Sequence, residues 1–249
     1  MKCFFCLLGA WAASISIGYG QTPPQGGGSP AYPNGPSPQD KDTAKLFVDM
    51  AVLTLRDRLC DPNADVRDAA AAALHAMGPA AKIAAPALAQ RLRDPDRYVR
   101  ITASEALEHL GADAVPCVCQ RLRDADPQVR ELAARVLQKI GPEARAAVPA
   151  LAEALADVDA DVRLSALRAL NDIGPPARTA IPSLAARLRD RDGYVRATAA
   201  HVLASMGPDA VPSLCTLLED ENPEVRAIAA NTLREIAAAA AAMMPDSAR

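Results

Sequence analysis

The chain has 249 residues, with 27 Lys plus Arg against 30 Asp plus Glu, a net charge of -3 and a pI near 5.7. Half of its residues are hydrophobic, only 3% are aromatic and 55 are Ala, a composition that suits closely packed helices and excludes a β-sandwich or barrel. Without a surplus of cations the chain does not read as a general nucleic-acid binder.

Lys2 precedes an apolar stretch from Cys3 to Ile17, which ends in Gly18, Tyr19 and Gly20. This is the order of a signal peptide, predicted over residues 1–20 with cleavage after Gly20. The apolar stretch is shorter than the roughly 20 residues that span a bilayer, so the mature protein is expected outside the cytoplasm without a membrane span. An uncleaved segment would instead tether it to a membrane. Cys3 and Cys6 lie before the apolar core and cannot serve as a lipoprotein anchor. Residues 21–42 are rich in Pro, Gly, Ser and Gln and lack apolar periodicity, so they read as a disordered linker.

Residues 43–244 are dominated by self-similarity. The pattern D-x-[DN]-x-x-V-R recurs with its aspartate at Asp61, Asp94, Asp124, Asp157, Asp190 and Asp220, in steps of 33, 30, 33, 33 and 30 residues. Val66, Ala70, Leu74 and Met77 form one helical stripe that recurs in every copy, for instance as Val129, Ala133, Leu137 and Ile140. Asn63, Asp96, Asp126, Asp159, Asp192 and Asn222 stand where a side-chain oxygen caps the helix. Gly78, Gly111, Gly141, Gly174 and Gly207 are expected to close the first helix in the left-handed conformation. A second helix starts near Pro86, Pro116, Pro149, Pro182 or Pro212 and runs to Leu92, Leu122, Leu155, Leu188 or Leu218. The step from Gly to Pro is eight residues in copies one, three and four and five in copies two and five, a difference assigned to the inter-helix turn. Thr43 to Leu59 reads as a lone second helix capping one end. Val225 to about Ala242 reads as a lone first helix capping the other, leaving 245–249 as a tail.

These motifs, followed by A-x-x-A-L, G-P and A-V-P-x-L, resemble HEAT-like repeats of the phycobilisome-lyase type over about four-fifths of the chain. The resemblance implies an all-α, right-handed α-solenoid of six stacked helical hairpins. It also implies a ladder in which Arg67, Arg100, Arg130, Arg163, Arg196 and Arg226 pair with the repeated aspartates. The family includes lyases, scaffolds and enzymes, so membership does not set the activity. One iron-dependent hydroxylase group built on such repeats holds metal with His-Glu pairs, and no His-Glu pair exists in this chain.

No catalytic, cofactor or metal site is expected. His75, His109 and His201 read as surface histidines, with only Glu105 at helical spacing from His109. Asp157, Asp159 and Asp161 copy the opening of a calcium loop, but Val162 and Arg168 stand where that loop needs Gly and Glu. Cys119 and Cys215 fall at the same position in copies two and five, about 30 Å apart at roughly 10 Å per layer, and cannot form a disulfide. Cys119 and Cys215 read as small core residues, and the sequence does not set the redox state of Cys60, Cys117, Cys119 or Cys215. The alternative is a lyase-like or cofactor-handling enzyme using a thiol at Cys117 or Cys119.

Two features depart from the repeated pattern. Arg91, Arg93, Arg121, Arg123, Arg187 and Arg189 end the second helices, either as cations complementing the helix dipole or as a positive stripe for a protein or acidic macromolecule. Tyr98 and Tyr194 precede the Val of their copies. Residues 91–122 and 187–218 share 18 identities in 32, which indicates duplication of a three-copy block. The two tyrosines read as packing residues inherited with that block, or else as repeated contact anchors. The expected function is that of an exported, monomeric, non-enzymatic scaffold.

Overall fold

The computed structural model describes residues 38–242. Contacts divide the chain into Met1–Ala44 and Lys45–Arg249, and only the start of one helix is described in the first unit. The predicted signal peptide, most of the predicted linker and the tail lie outside the described residues.

The described residues form helices α1 (Pro38–Arg58), α2 (Ala64–Met77), α3 (Ala85–Arg91), α4 (Arg97–Leu110), α5 (Val115–Arg121), α6 (Pro127–Ile140), α7 (Val148–Ala154), α8 (Ala160–Ile173), α9 (Ile181–Ala186), α10 (Gly193–Met206), α11 (Val211–Leu217) and α12 (Pro223–Ala242). This is the expected all-α solenoid. First helices (α2, α4, α6, α8, α10, α12) stack on first helices, and each short second helix packs against the first helix of the next copy. Helix α1 begins at Pro38, five residues before the predicted cap, so the end of the predicted linker is helical.

The first helices form where their caps and stripes coincide. The Asp96 carboxylate accepts from the backbone N–H groups of Tyr98 and Val99, and all six predicted capping residues accept from their own first turn in this way. Behind the caps, Val129, Ala133, Leu137 and Ile140 are buried. A fully buried Leu of this kind contributes roughly 1.5–3 kcal/mol. Val66 and Met77 in the first copy are only half-buried, because that copy has a partial cap rather than a full neighbour on its outer side.

The repeated glycines do not take the left-handed helical conformation. Gly78 has φ 55 and ψ -135, and all five share positive φ with strongly negative ψ. This extended mirror region is closed to residues with a Cβ, so the position demands glycine more strictly than an αL cap would.

The segment after each glycine is not an irregular turn. It is a 3-10 helix of seven residues in the first and third copies (Gly78–Ala84, Gly141–Ala147), six in the fourth (Pro175–Ala180) and four in the second and fifth (Gly111–Ala114, Gly207–Ala210). Three residues make one 3-10 turn, so the short repeats differ from the long ones by one turn.

Candidate functional site

The loop edge, where each second helix hands over to the next first helix, carries the repeated aspartates, the ladder arginines and both tyrosines. Each repeated aspartate accepts the backbone N–H of the capping residue two positions on, as Asp157 does from Asp159 at 2.9 Å. Each ladder arginine turns its Nη1 onto two loop carbonyls, as Arg130 does onto Asp124 and Ala125 at 2.9 and 3.0 Å. That leaves the Nε and Nη2 edge of the guanidinium facing the next repeat.

Across 33-residue steps this edge finds the predicted partner. Arg67 grips Asp94 through Nε and Nη2 at 2.8 and 2.7 Å, and Arg130 grips Asp157 at 2.7 and 2.8 Å. Arg163 donates to Asp190 at 2.8 Å. Burial by itself would raise the Asp157 carboxyl, but the Arg130 hydrogen bond and the Asp159 N–H hold it below the ordinary carboxylate range. The same balance lowers Asp94 and Asp190.

Across 30-residue steps the predicted pair is not made. Arg100 does not reach Asp124, and Arg196 bonds Glu224 at 2.7 Å instead of Asp220. Removing one 3-10 turn moves the next aspartate out of register with its arginine. At these two junctions the first helices also pack less closely, and a cleft opens at each. Residues including Arg93, Arg100, Asp126 and Gln128 line about 180 Å³ at one. Arg196, His201, Glu224 and Asn231 are among those lining about 440 Å³ at the other.

The expected arginine stripe is only half present. Arg91, Arg121 and Arg187 fold back onto Asp94, Asp124 and Asp190 of their own loops at 3.4, 3.6 and 3.4 Å and are half-buried, so they are structural. Three residues make nearly one helical turn, which brings each arginine over the aspartate that follows it. Arg93, Arg123 and Arg189 are exposed. Arg123 reaches Glu153 at 2.7 Å and Arg189 is bonded to Asp220, while Arg93 meets no acidic partner among the described residues.

The packing reading of the tyrosines is overturned: Tyr98 is 71% exposed and Tyr194 is 80% exposed. Their position is the second residue of the first helix, outside the buried stripe. Cys215 and Cys60 are exposed and not core, whereas Cys117 and Cys119 pack partly into the core, and all four thiols are free. Burial pushes the Cys119 thiol up to about 11. Asp157 and Asp159 serve the ladder and the cap.

One proximity was not read from the sequence. His75 and His109 come from adjacent first helices with ring centroids 4.9 Å apart, and His109 Nδ1 lies 3.2 Å from the His75 carbonyl oxygen. Their offset of 34 residues, close to one repeat, was the available signal. His75 is half-buried, whereas His109 and His201 are exposed. No group of three or more metal-ligating side chains gathers among the described residues, and no described helix is long and apolar enough to cross a membrane.

The HEAT-repeat family pattern matches residues 44–108, 85–171, 115–204 and 181–244. The chain therefore belongs to the HEAT-repeat family, and its architecture is that of a repeat scaffold. Among solved structures it is similar to an engineered protein, at 25% identity over 75% of this chain and 96% of that one, with a TM-score of 0.47. It is also similar to computationally designed armadillo repeat proteins for modular peptide recognition, at 19% identity over 73% and 98%, TM-score 0.48. The complex of CpcE and CpcF of phycocyanin lyase from Nostoc sp. PCC7120 is similar at 24% identity over 85% and 81%, TM-score 0.46. No curated protein matches the chain.

Proposed function

We propose that this protein is an exported, non-enzymatic scaffold that binds a protein partner along the loop edge of its solenoid. The observation that carries the reading is the pair of exposed tyrosines, Tyr98 and Tyr194, at equivalent positions of the duplicated blocks. A large aromatic ring held in water at a repeated position contributes nothing to the core, yet Tyr is a frequent anchor of protein interfaces. Export is supported by the order of charge, apolar core and small residues over 1–20. The lyase-like alternative needs a thiolate nucleophile, and burial raises the thiols of both Cys117 and Cys119, the latter to about 11, which disfavours the thiolate.

The test is affinity capture from native extract with the intact protein and with a Tyr98→Ala/Tyr194→Ala variant, each captured protein being identified by mass spectrometry. The scaffold reading expects one partner whose recovery falls at least tenfold with the variant, while the melting temperature is unchanged. Equal recovery would contradict the assigned edge. A bound chromophore, or an activity abolished by thiol blocking, would favour the lyase-like alternative.

A further inference from the structure

The two short junctions are equivalent by duplication, and the exchange of Gln128 for Glu224 is one of the differences that set them apart chemically. Arg100 and Arg196 occupy equivalent places 96 residues apart, and neither meets its ladder aspartate. In the second block, Glu224 fills the vacancy and accepts from Arg196 Nη2 at 2.7 Å. The residue equivalent to Glu224 in the first block is Gln128, whose side chain makes no such bond. Arg100 spends Nη1 on the carbonyls of Asp94 and Pro95, and its Nε and Nη2 meet no acceptor among the described residues.

The surroundings differ in the same direction. In the second block Arg189 is neutralised by Asp220, and Gly193 stands where the first block has Arg97. In the first block Arg93 and Arg97 are exposed without acidic partners among the described residues, and the exposed Tyr98 lies between Arg97 and Arg100 in sequence. Asp126 lines the same cleft, with its carboxylate accepting the Gln128 N–H at 2.9 Å. The first block thus places Arg93 and Arg100 in the lining of an open cleft, with Arg97 and Tyr98 exposed on the first turn of the helix that carries Arg100.

We propose that the open edge of Arg100 is a recognition site for a carboxylate of the partner, carried on an acidic peptide segment. The inference rests on the scaffold reading and names the chemistry of its partner. A carboxylate is favoured because that same guanidinium edge holds one in four other copies, from Asp94, Asp157, Asp190 or Glu224. Its planar geometry accepts a carboxylate through two parallel hydrogen bonds. Arg226 also lacks a carboxylate on this edge, but among the described residues no further copy stands beyond it to form a cleft.

The probe is a hexaglutamate peptide blocked at both ends, titrated against the full chain at low and high salt, with hexaglutamine as its neutral counterpart. The intact protein should bind hexaglutamate in preference to hexaglutamine, and added salt should weaken it. Arg100→Gln should weaken binding at least tenfold. Gln128→Glu should do the same while leaving Arg100 in place, because the new carboxylate would occupy the site from within, as Glu224 does at Arg196. Arg226→Gln should leave peptide binding unchanged, and melts of every variant should confirm folding. Equal affinity for the two peptides, or undiminished binding by Gln128→Glu, would overturn the proposal. If the peptide fails while tyrosine-dependent capture persists, the scaffold reading stands without the Arg100 site. Peptide binding without tyrosine-dependent capture would leave the Arg100 site and remove the edge anchors.

Discussion

At the residue scale, the repeated arginine works by division of labour within one guanidinium. One nitrogen satisfies two loop carbonyls of its own copy, and in Arg67, Arg130, Arg163 and Arg196 the opposite edge holds the next copy, so there the side chain closes a loop and aligns a stack together. Arg130→Ala should therefore cost on the order of 1–3 kcal/mol, since it strands the half-buried Asp157 and two carbonyls. Arg135→Ala, which removes an exposed pair with Glu131 at 3.8 Å, should cost less than about 0.5 kcal/mol. Denaturant melts of the two variants compare them directly. Equal losses would refute the structural role of the ladder.

The same pairs set the acid limit of the fold. Asp94, Asp157 and Asp190 are held below the ordinary carboxylate range, so the unfolded chain binds more protons than the folded one as pH falls. Their stabilisation is fully present above the unfolded value of about 4 and is lost as pH drops through the lower folded values. Thermal melts should show a fall in stability below about pH 4. Asp157→Asn should be less stable at pH 7 and show a shallower fall, and an unchanged pH profile for this variant would count against the assignment.

At the element scale, the 3-10 segments decide which copies are tied together. Three residues of length amount to one turn, and the aspartate meets the preceding arginine only when that turn is present. Replacing Gly111–Ala114 with the seven residues of Gly141–Ala147 should bring Asp124 onto Arg100 and close the cleft at that junction. A double-mutant cycle between Arg100 and Asp124 should then show a coupling on the order of 1 kcal/mol that is absent in the natural chain. No coupling in the lengthened chain would show that the turn does not set the register.

The helices, their caps and their order were legible in the sequence because six copies repeat one stripe and one cap. The 3-10 conformation and the broken ladder were not. A gap of five or eight residues between Gly78-type and Pro86-type positions specifies a length but not a geometry, and pairing across copies depends on that geometry. The tyrosines show the same limit: duplication explains why both are present, but only their place outside the buried stripe shows that neither packs in the core.

At the scale of the whole molecule, each copy buries its apolar face only against its neighbours, so the ends need covers. Val52 of α1 and Leu59 just after it are buried at one end, and Val225, Ala229 and Ile236 of α12 at the other. Ending the chain before Pro223 should uncover the surfaces of α10 and α11 against which α12 packs. Increased binding of a hydrophobic dye and a lower melting temperature are expected, and an unchanged protein would show that the last helix is no cap.

The candidate site emerges only at this scale, because it depends on comparing two blocks that share a pattern and differ in occupancy. Sequence reading placed Arg91, Arg121 and Arg187 beside Arg93, Arg123 and Arg189 in one stripe, whereas the fold turns the first three onto their own aspartates. It passed over Arg100, which looked like one more ladder residue until its aspartate proved out of reach.

The central claim is that a partner meets the loop edge at both tyrosines. A photo-crosslinking phenylalanine analogue placed singly at positions 98, 194 and, as an exposed control outside that edge, 168, in the protein produced in its native setting, tests this most directly. The same partner should be crosslinked from 98 and from 194, and none from 168. Crosslinks from 168 with neither tyrosine position reactive would contradict the claim.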